Sequence, residues 1–412
     1  MNPVSDALRQ RAARRGGVCP DQLPSHASSW SVHLAWIERR YDDVRRCVAG
    51  GLMCSFFVNG GQLLSCGFET RLSRGLLGLG GIDADSDAVT KLTPLLSMKA
   101  VRVNSVSTEF GHGSAVTVNG DVYTWGSRHV GRLGDDGRDP PSLPMQVMNL
   151  AAFRIMSVST GCNHCLAVAV TGQVFSWGIM IDGLCGHGNC QNYQPLPRQI
   201  MSLSRTRVRS ASAGTLHSLV VTEDGFLFSF GRGFEGQLGH RKSDVVLIPK
   251  KIRALNRVRI TSAAAGGFNS LALASDGTVF SWGSDEYGET GINVPHTVNE
   301  LKGIYVKSIV VHGEGRCAVS AMGELYTWGK RPAGLLGHGS EVCHQPSPRL
   351  VDALVLEFVE FVSFGSMHTI VVTRSGAVFG WGSAKMFGLD VGDMGPIRAA
   401  SMVRYTHISC AR

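Results

Sequence analysis

Short runs of alternating apolar and polar residues recur along this chain, each set between glycines. In residues 122–125 the tyrosine and tryptophan share one face and the valine and threonine the other, because strand side chains alternate. A continuous apolar run precedes each of them, as in residues 217–222, and is typical of a strand buried on both faces. Turns such as residues 223–225 join the two runs and predict hairpins.

The glycine-bounded run occurs seven times, which makes the chain a repeat protein. Its tryptophan position falls at Cys66, Trp125, Trp177, Phe230, Trp282, Trp328 and Trp381. A period of about 50 residues is typical of solenoids and propellers. Glycine-rich loops follow, among them residues 131–134 and 236–239, and a weaker apolar segment such as residues 208–213 completes the repeat. Each repeat thus holds about four short strands, the content of one propeller blade.

The number of repeats predicts an all-β fold, a seven-bladed β-propeller of about four strands per blade. Closure into a ring removes the two sheet edges that an open array would expose. We expect the propeller to occupy residues 44–412, and residues 1–43 to form an N-terminal tail and a short helix. Residues 403–408 repeat the segment that opens a blade, so we expect the N- and C-terminal segments to pair and close the ring.

The repeats resemble those of the regulator-of-chromosome-condensation family. The third copy shows the shared positions, which are Ile155, Val158, Gly161, His164, Gly172, Val174, Trp177, Gly183 and Gly186. The resemblance covers nearly the whole chain and implies a seven-bladed propeller. Family members include exchange factors for Ran-type GTPases, a plant UV-B photoreceptor, and modules of ubiquitin ligases and ciliary proteins. The resemblance therefore implies the fold more strongly than a function.

Two functions follow from this pattern. The first is a non-catalytic scaffold that binds a protein partner, because loops on a rigid scaffold commonly carry binding. The alternative is a guanine nucleotide exchange factor for a small Ran-type GTPase, associated with chromatin. The resemblance implies acidic residues between the repeat glycine and histidine of the exchange factors. Residues 110–111, 162–163 and 215–216 contain none, so the sequence favours the scaffold.

Positive charge is concentrated in one part of the chain. The net charge is +8, and residues 198–259 hold 12 Lys and Arg against four Asp and Glu. Since this segment spans neighbouring blades, its charges can form one positive sector that docks an acidic protein surface, a nucleic acid or chromatin. The sequence favours the other interpretation, in which the charges are solvated separately on outer strands. The candidate docking residues are Arg205, Arg207, Arg209, Arg241, Lys242, Lys250, Lys251, Arg253, Arg257 and Arg259.

Residues that often carry chemistry form no recognisable reactive motif here. The recurring histidines are His112, His164, His217 and His368. They fall on different blades, so we expect each to make an internal hydrogen bond that fixes a strand start. The cysteines whose spacing zinc would tolerate are Cys162, Cys165, Cys185 and Cys190. They occupy ordinary repeat positions, and the sequence predicts no catalytic residue, no cofactor and no metal site.

The cysteine count and the N-terminal residues bear on the compartment. Eleven cysteines, an odd number, and the lack of an apolar leader favour an intracellular location, in the cytosol or nucleus. The arginine cluster at residues 9–15 suits a plain tail, a nuclear signal or a mitochondrial presequence, so the mitochondrion stays open. No run of about 18 apolar residues occurs, and we expect no membrane span.

Overall fold

The computed structural model describes residues 48–51, 54–69, 75–80, 89–135, 143–188, 192–241, 244–283, 292–332, 334–339, 342–382 and 397–401. Within these residues the chain forms 28 β-strands in seven antiparallel sheets of four strands each. Every sheet is built from four strands that are consecutive in the chain. The protein is therefore a seven-bladed β-propeller, as the repeat pattern predicts.

The strands are numbered in chain order, and each successive group of four makes one blade. Blades 1 to 3 contain β1 (Val48–Gly50), β2 (Cys54–Asn59), β3 (Gln62–Gly67), β4 (Val89–Pro94), β5 (Val103–Glu109), β6 (His112–Thr117), β7 (Val122–Gly126), β8 (Met145–Gln146), β9 (Ile155–Thr160), β10 (His164–Ala169), β11 (Val174–Ile179) and β12 (Tyr193–Gln199). Blades 4 and 5 contain β13 (Val208–Ala213), β14 (His217–Thr222), β15 (Leu227–Gly231), β16 (Val246–Lys251), β17 (Ile260–Ala265), β18 (Asn269–Ala274), β19 (Val279–Gly283) and β20 (Ile292–Thr297). Blades 6 and 7 contain β21 (Val306–His312), β22 (Gly315–Ser320), β23 (Leu325–Lys330), β24 (His344–Leu350), β25 (Val359–Phe364), β26 (His368–Thr373), β27 (Val378–Gly382) and β28 (Ile397–Ser401).

The first strand of each blade lies nearest the axis of the ring. First strands of neighbouring blades contact one another around the whole ring, including β1 against β25. The second strand of each blade lies between the first and third strands of its own sheet, and its two faces pack against neighbouring blades. Strand β14, for example, is buried at every residue. This confirms the prediction that its continuous apolar run is a strand buried on both faces.

The connections define two ends of the propeller. The hairpin end carries the turns between second and third strands, such as residues 223–226, and the connections between blades. The loop end carries the turns between first and second strands, such as residues 214–216, and the glycine-rich loops between third and fourth strands. The two ends therefore present different parts of the repeat to solvent.

Short 3₁₀ helices occur at both ends. Those that begin the six described blade connections are Leu96–Met98, Met148–Leu150, Met201–Leu203, Arg253–Leu255, Asn299–Leu301 and Asp352–Leu354. Those in the glycine-rich loops are His129–Gly131 and Ile181–Gly183. Over the described part of the chain, no helix has the length and apolar character needed to cross a membrane.

The apolar cores of the described propeller lie between neighbouring blades. The rings of Phe56 and Trp125, from blades 1 and 2, pack with centroids 5.2 Å apart. The Trp125 indole N–H donates to the carbonyl of Leu76, in the glycine-rich loop of blade 1, over 3.0 Å. Trp177 donates in the same way to Arg132 of blade 2 over 3.0 Å. The repeated tryptophan thus joins each of these blades to the loop of the preceding one.

Blades 1 and 7 meet through the same kind of contact. An apolar core joins them, and the Gly50 N–H donates to Ser363 Oγ over 2.9 Å. The predicted pairing of chain ends concerns residues 44–47 and 403–410, which lie outside the described residues. The predicted tail and helix of residues 1–43 also lie outside them. Among the described residues, all four strands of blade 1 come from residues 48–94.

Candidate functional site

Each described blade connection ends in a residue whose backbone is held by two hairpins. Before blade 4 this residue is Arg207. Its carbonyl accepts from the N–H of Glu223, in the hairpin of blade 4, over 2.9 Å. The N–H of the next residue, Val208, donates to the carbonyl of Gly172 in the hairpin of blade 3 over 3.0 Å. The position of Arg207 is therefore set by backbone bonds to two neighbouring blades.

The same bonding recurs in all six described connections. The residues held in this way are Arg102, Arg154, Arg207, Arg259, Tyr305 and Phe358. The first four, which we call the arginine arc, are exposed at the hairpin end. Because they occupy one position of the repeat in four successive connections, the arc follows the ring from blade 1 to blade 5. It places four positive charges on one end of the propeller.

The arginine stems lie over the hairpin glycines. Gly120 has a φ of +92°, and a Cβ added there would come within 2.6 Å of Cγ of Arg154. A Cβ on Gly225 would come equally close to Cγ of Arg259. The Arg259 guanidinium donates to the backbone carbonyl of Glu223 over 2.9 Å. Among the described residues, no carboxylate forms an ion pair with an arginine of the arc, so its charge faces solvent.

The structure separates the predicted docking residues into two groups. Those at or near the hairpin end are Arg205, Arg207, Arg209, Lys250, Lys251, Arg253, Arg257 and Arg259. Of these, Lys251 packs its Nζ 3.0 Å from the centroid of the Phe226 ring, and Arg209 is half-buried within β13. Arg241 lies at the loop end. Lys242 lies outside the described residues.

Sequence reasoning from charge density missed Arg102 and Arg154. Both lie outside the basic segment, in stretches of the chain that are nearly neutral overall. The signal that could have found them is their position within the repeat, since each arginine of the arc directly precedes the valine or isoleucine that opens a first strand. The position within the repeat, and not the local density of charge, therefore identifies the arc.

The recurring histidines bond neighbouring blades together. His164 Nε2 lies 2.8 Å from Ser218 Oγ of the next blade, and His217 Nε2 lies 2.8 Å from Ser270 Oγ. His368 Nε2 makes the same contact with Ser55 Oγ, from blade 7 to blade 1. This confirms the predicted internal hydrogen bond, which crosses between blades. These side chains have a structural role and lie at separate blade interfaces, not in one cluster.

Burial keeps these histidines uncharged. It lowers the pKa of His164 to about 4 and that of His217 to about 3. The pKa of His368 is lowered to about 3, first by burial and then by the charge of Arg331. An imidazole that is buried and neutral at physiological pH acts here as a hydrogen-bonding group and not as a proton shuttle.

The candidate zinc cysteines take part in ordinary packing. Cys165 Sγ lies 3.3 Å from His112 Nε2 of the neighbouring blade. Burial raises the pKa of Cys185 to about 12 and that of Cys162 to about 11, which disfavours the thiolate that binds metal. Cys190 lies outside the described residues. Within the described ranges, no group of three or more His, Cys, Asp or Glu side chains is arranged to hold a metal ion.

The loop end carries a second polar feature at the axis. His312 Nδ1 of blade 6 lies 3.0 Å from Glu109 Oε2 of blade 2, a contact between non-adjacent blades. His312 Nε2 lies 3.2 Å from Ser366 Oγ. The buried Arg331 donates to the carbonyls of His312 and Gly365, and burial lowers its pKa to about 10. These bonds hold the loops of blades 2, 6 and 7 together around the axis.

Comparison with known proteins agrees with this architecture. The model of the RCC1-like domain matches residues 31–294, and that of the regulator of chromosome condensation (RCC1) repeat matches residues 322–372. The first match covers more than half of the chain. The chain therefore belongs to the family of RCC1-repeat β-propeller proteins, in agreement with the resemblance seen in its sequence.

Relatives in this family differ in their functions. The chain is 35% identical to mouse E3 ubiquitin-protein ligase HERC2 over 319 residues, which is 74% of this chain but 6% of that protein. It is 34% identical to the ultraviolet-B receptor UVR8 of Arabidopsis thaliana over 301 residues, covering 71% of this chain and 68% of the receptor. The crystal structure of Prp20p from Saccharomyces cerevisiae superposes with a TM-score of 0.71 at 20% identity, covering 88% of this chain and 89% of that one. The structural likeness shows the fold alone.

Proposed function

We propose that this protein is a non-catalytic propeller scaffold that docks an acidic macromolecule on the arginine arc. The single observation that carries this function is the arc itself, four exposed arginines at one repeat position of successive blade connections. Backbone bonds to two hairpins hold each of them, so the points on the propeller from which the four side chains extend are fixed. His112, His164, His217 and Cys165 are instead committed to internal contacts between blades.

The test is binding of a fluorescent poly-glutamate peptide to the full chain at several salt concentrations. We expect affinity to fall as salt rises, since exposed charges are screened over about 10 Å at 0.1 M ionic strength. Replacing Arg102, Arg154, Arg207 and Arg259 by alanine should lower affinity by about 30-fold, because four exposed pairs of about 0.5 kcal/mol each amount to about 2 kcal/mol. Melting curves check that the variant folds.

Arg241→Asn is the matched control. This arginine is exposed but lies at the loop end, and asparagine tolerates its left-handed φ of +66°. It should leave peptide affinity unchanged. Equal affinity of the folded four-fold alanine variant and the unmodified chain would overturn the proposal.

A second candidate function is guanine nucleotide exchange on a small Ran-type GTPase. Prp20p, with which this chain shares its fold, binds Gsp1p and histones. The loop end favours this candidate, since Phe110, Phe268 and Met367 are exposed there on turns of three different blades. Phe110 also has a left-handed φ of +48°, which is uncommon for a non-glycine residue and places its ring on the surface.

Release of labelled GDP from a Ran-type GTPase tests this candidate. A large acceleration by micromolar protein, slowed in a Phe110→Gly variant, would establish it. Glycine suits this position because Gly313 occupies the equivalent turn of blade 6 with a φ of +57°. Unchanged GDP release in the presence of folded protein would rule the candidate out and leave the scaffold.

A further inference from the structure

Three strongly exposed apolar side chains accompany the arginine arc. Leu96, Met148 and Met201 begin the 3₁₀ helices of the first three connections and are 76, 68 and 63% exposed. We call them the apolar flank. The equivalent residues of the other three described connections are polar, namely Arg253, Asn299 and Asp352. Apolar exposure at this position is therefore confined to the connections that carry Arg102, Arg154 and Arg207.

Two further apolar side chains adjoin the arc directly. Val118 and Val170 lie in the hairpins of blades 2 and 3 and are exposed. Their N–H groups donate to the carbonyls of Arg102 and Arg154, each over 2.9 Å. In the next three hairpins the equivalent residues are Glu223, Ser275 and Ala321. The first part of the arc thus has exposed apolar side chains beside it.

This combination favours a protein partner over a nucleic acid. Protein–DNA interfaces are polar and strongly charged, and single strands stack on exposed aromatic side chains. In the first three connections the aromatic residue is Phe153, which is half-buried and packs on Phe175 with centroids 4.6 Å apart. Protein interfaces, in contrast, are enriched in arginine and methionine. Methionine adapts its shape to many apolar surfaces.

We propose that the arginine arc and the apolar flank together bind an acidic amphipathic segment of a partner protein. Its carboxylates meet the arginines, and its aliphatic side chains cover Leu96, Met148 and Met201. This inference rests on the proposed docking function and adds the chemistry of the partner. A helix of about 20 residues spans about 30 Å and presents acidic and apolar faces at fixed spacing, so it suits such a surface.

Three probes test the proposal on the full chain. They are a synthetic peptide of glutamates and leucines in helical spacing, the same peptide with every leucine replaced by serine, and a DNA duplex of about 20 base pairs. We expect the leucine peptide to bind about tenfold more tightly than the serine peptide, because it buries apolar surface. The triple variant Leu96→Ser, Met148→Ser, Met201→Ser should remove that difference.

Leu356→Ser is the matched control, since Leu356 is also 76% exposed but lies in the connection before blade 7. It should leave the difference between the peptides intact. Equal binding of the two peptides, or an unchanged preference in the folded triple variant, overturns the amphipathic partner. If alanine variants of the arginine arc still bind the serine peptide less tightly than the unmodified chain does, the proposed docking function is retained even though the amphipathic partner is excluded. If DNA binds more tightly than the leucine peptide, and the triple variant binds DNA as tightly as the unmodified chain does, the inference is overturned in favour of a nucleic acid.

Discussion

The first four described blade connections and the last two share a backbone but differ in what they expose. Arg102, Arg154, Arg207 and Arg259 occupy the position that Tyr305 and Phe358 occupy later in the ring. In every case the next residue donates its N–H to a hairpin glycine of the preceding blade, over 2.8 to 3.3 Å. The repeat therefore specifies the backbone and leaves this side chain free to vary. Among the described connections, arginine at this position is therefore confined to one sector of the ring.

A second difference concerns the buried histidine. Blades 2, 3, 4 and 7 carry it. Blade 5 instead has Asn269, whose Nδ2 donates to the Gly313 carbonyl over 3.2 Å. Blade 6 has Gly315 at this position. The ring thus tolerates more than one side chain at the position that joins neighbouring blades. Variants that place the residue of one blade or connection at the equivalent position of another test both differences.

The largest expected effect is on stability in acid. Because burial lowers the pKa of folded His217 to about 3 from an ordinary 6.5, the unfolded chain takes up the proton first as pH falls. The contribution of His217 is complete above about pH 6.5 and is lost as pH falls towards 3. By about pH 4 the loss amounts to roughly 3 kcal/mol for this one histidine.

His217→Asn converts blade 4 to the arrangement of blade 5 and should flatten this pH dependence. The measurement is urea unfolding between about pH 7 and 4 for both proteins, since the shared titration of carboxylates cancels in the difference. Parallel stability curves for the two proteins would show that His217 does not carry a depressed pKa.

The next largest effect is expected from reversing charge within the arc. Arg154→Glu combined with Arg207→Glu replaces two attractions by two repulsions, a change of four charges as in the four-fold alanine variant, and should weaken poly-glutamate binding about 30-fold. Tyr305→Glu, at the same backbone position but outside the arc, is the comparison. It should change affinity less than about threefold at 0.1 M salt. Similar losses in both proteins would show that general charge, and not the arc, attracts the peptide.

The smallest expected effect comes from extending the arc. Tyr305 is exposed, and its hydroxyl donates to the Ser275 carbonyl over 3.0 Å. Tyr305→Arg should tighten poly-glutamate binding about threefold, because one more exposed pair contributes less than about 1 kcal/mol. Fluorescence anisotropy at low salt measures the change. No gain in a variant of unchanged melting temperature would indicate that the partner surface ends before blade 6.

Local sequence accounts for the fold because the repeat is strong. Seven glycine-bounded strands in phase, each preceded by an apolar run, predict seven small sheets, and closing the ring covers the exposed faces of the first and last sheets. The predicted role of His164 and His217 as internal hydrogen-bonding groups is confirmed for the same reason. The Nε2 atom of each of these buried imidazoles lies within hydrogen-bond distance of a serine hydroxyl of the next blade.

The candidate site was less accessible from the sequence. Charge counting joined Arg241 to Arg207 because they are close in the chain, yet the propeller places them at opposite ends. It also left out Arg102 and Arg154, which are distant in the chain but equivalent in the ring. Sequence proximity and spatial proximity diverge in a propeller, because successive residues of one strand run from one end to the other.

The sequence by itself determined the strands and their number per repeat, since these depend on short-range alternation and turn chemistry. The number of repeats determined the seven blades. Only the tertiary structure decided which side chains share a surface. The backbone bonds from hairpins of two blades to one connection bring the arginine arc and the apolar flank to the same end. Those bonds join residues from different repeats, and no local pattern in the chain reports them.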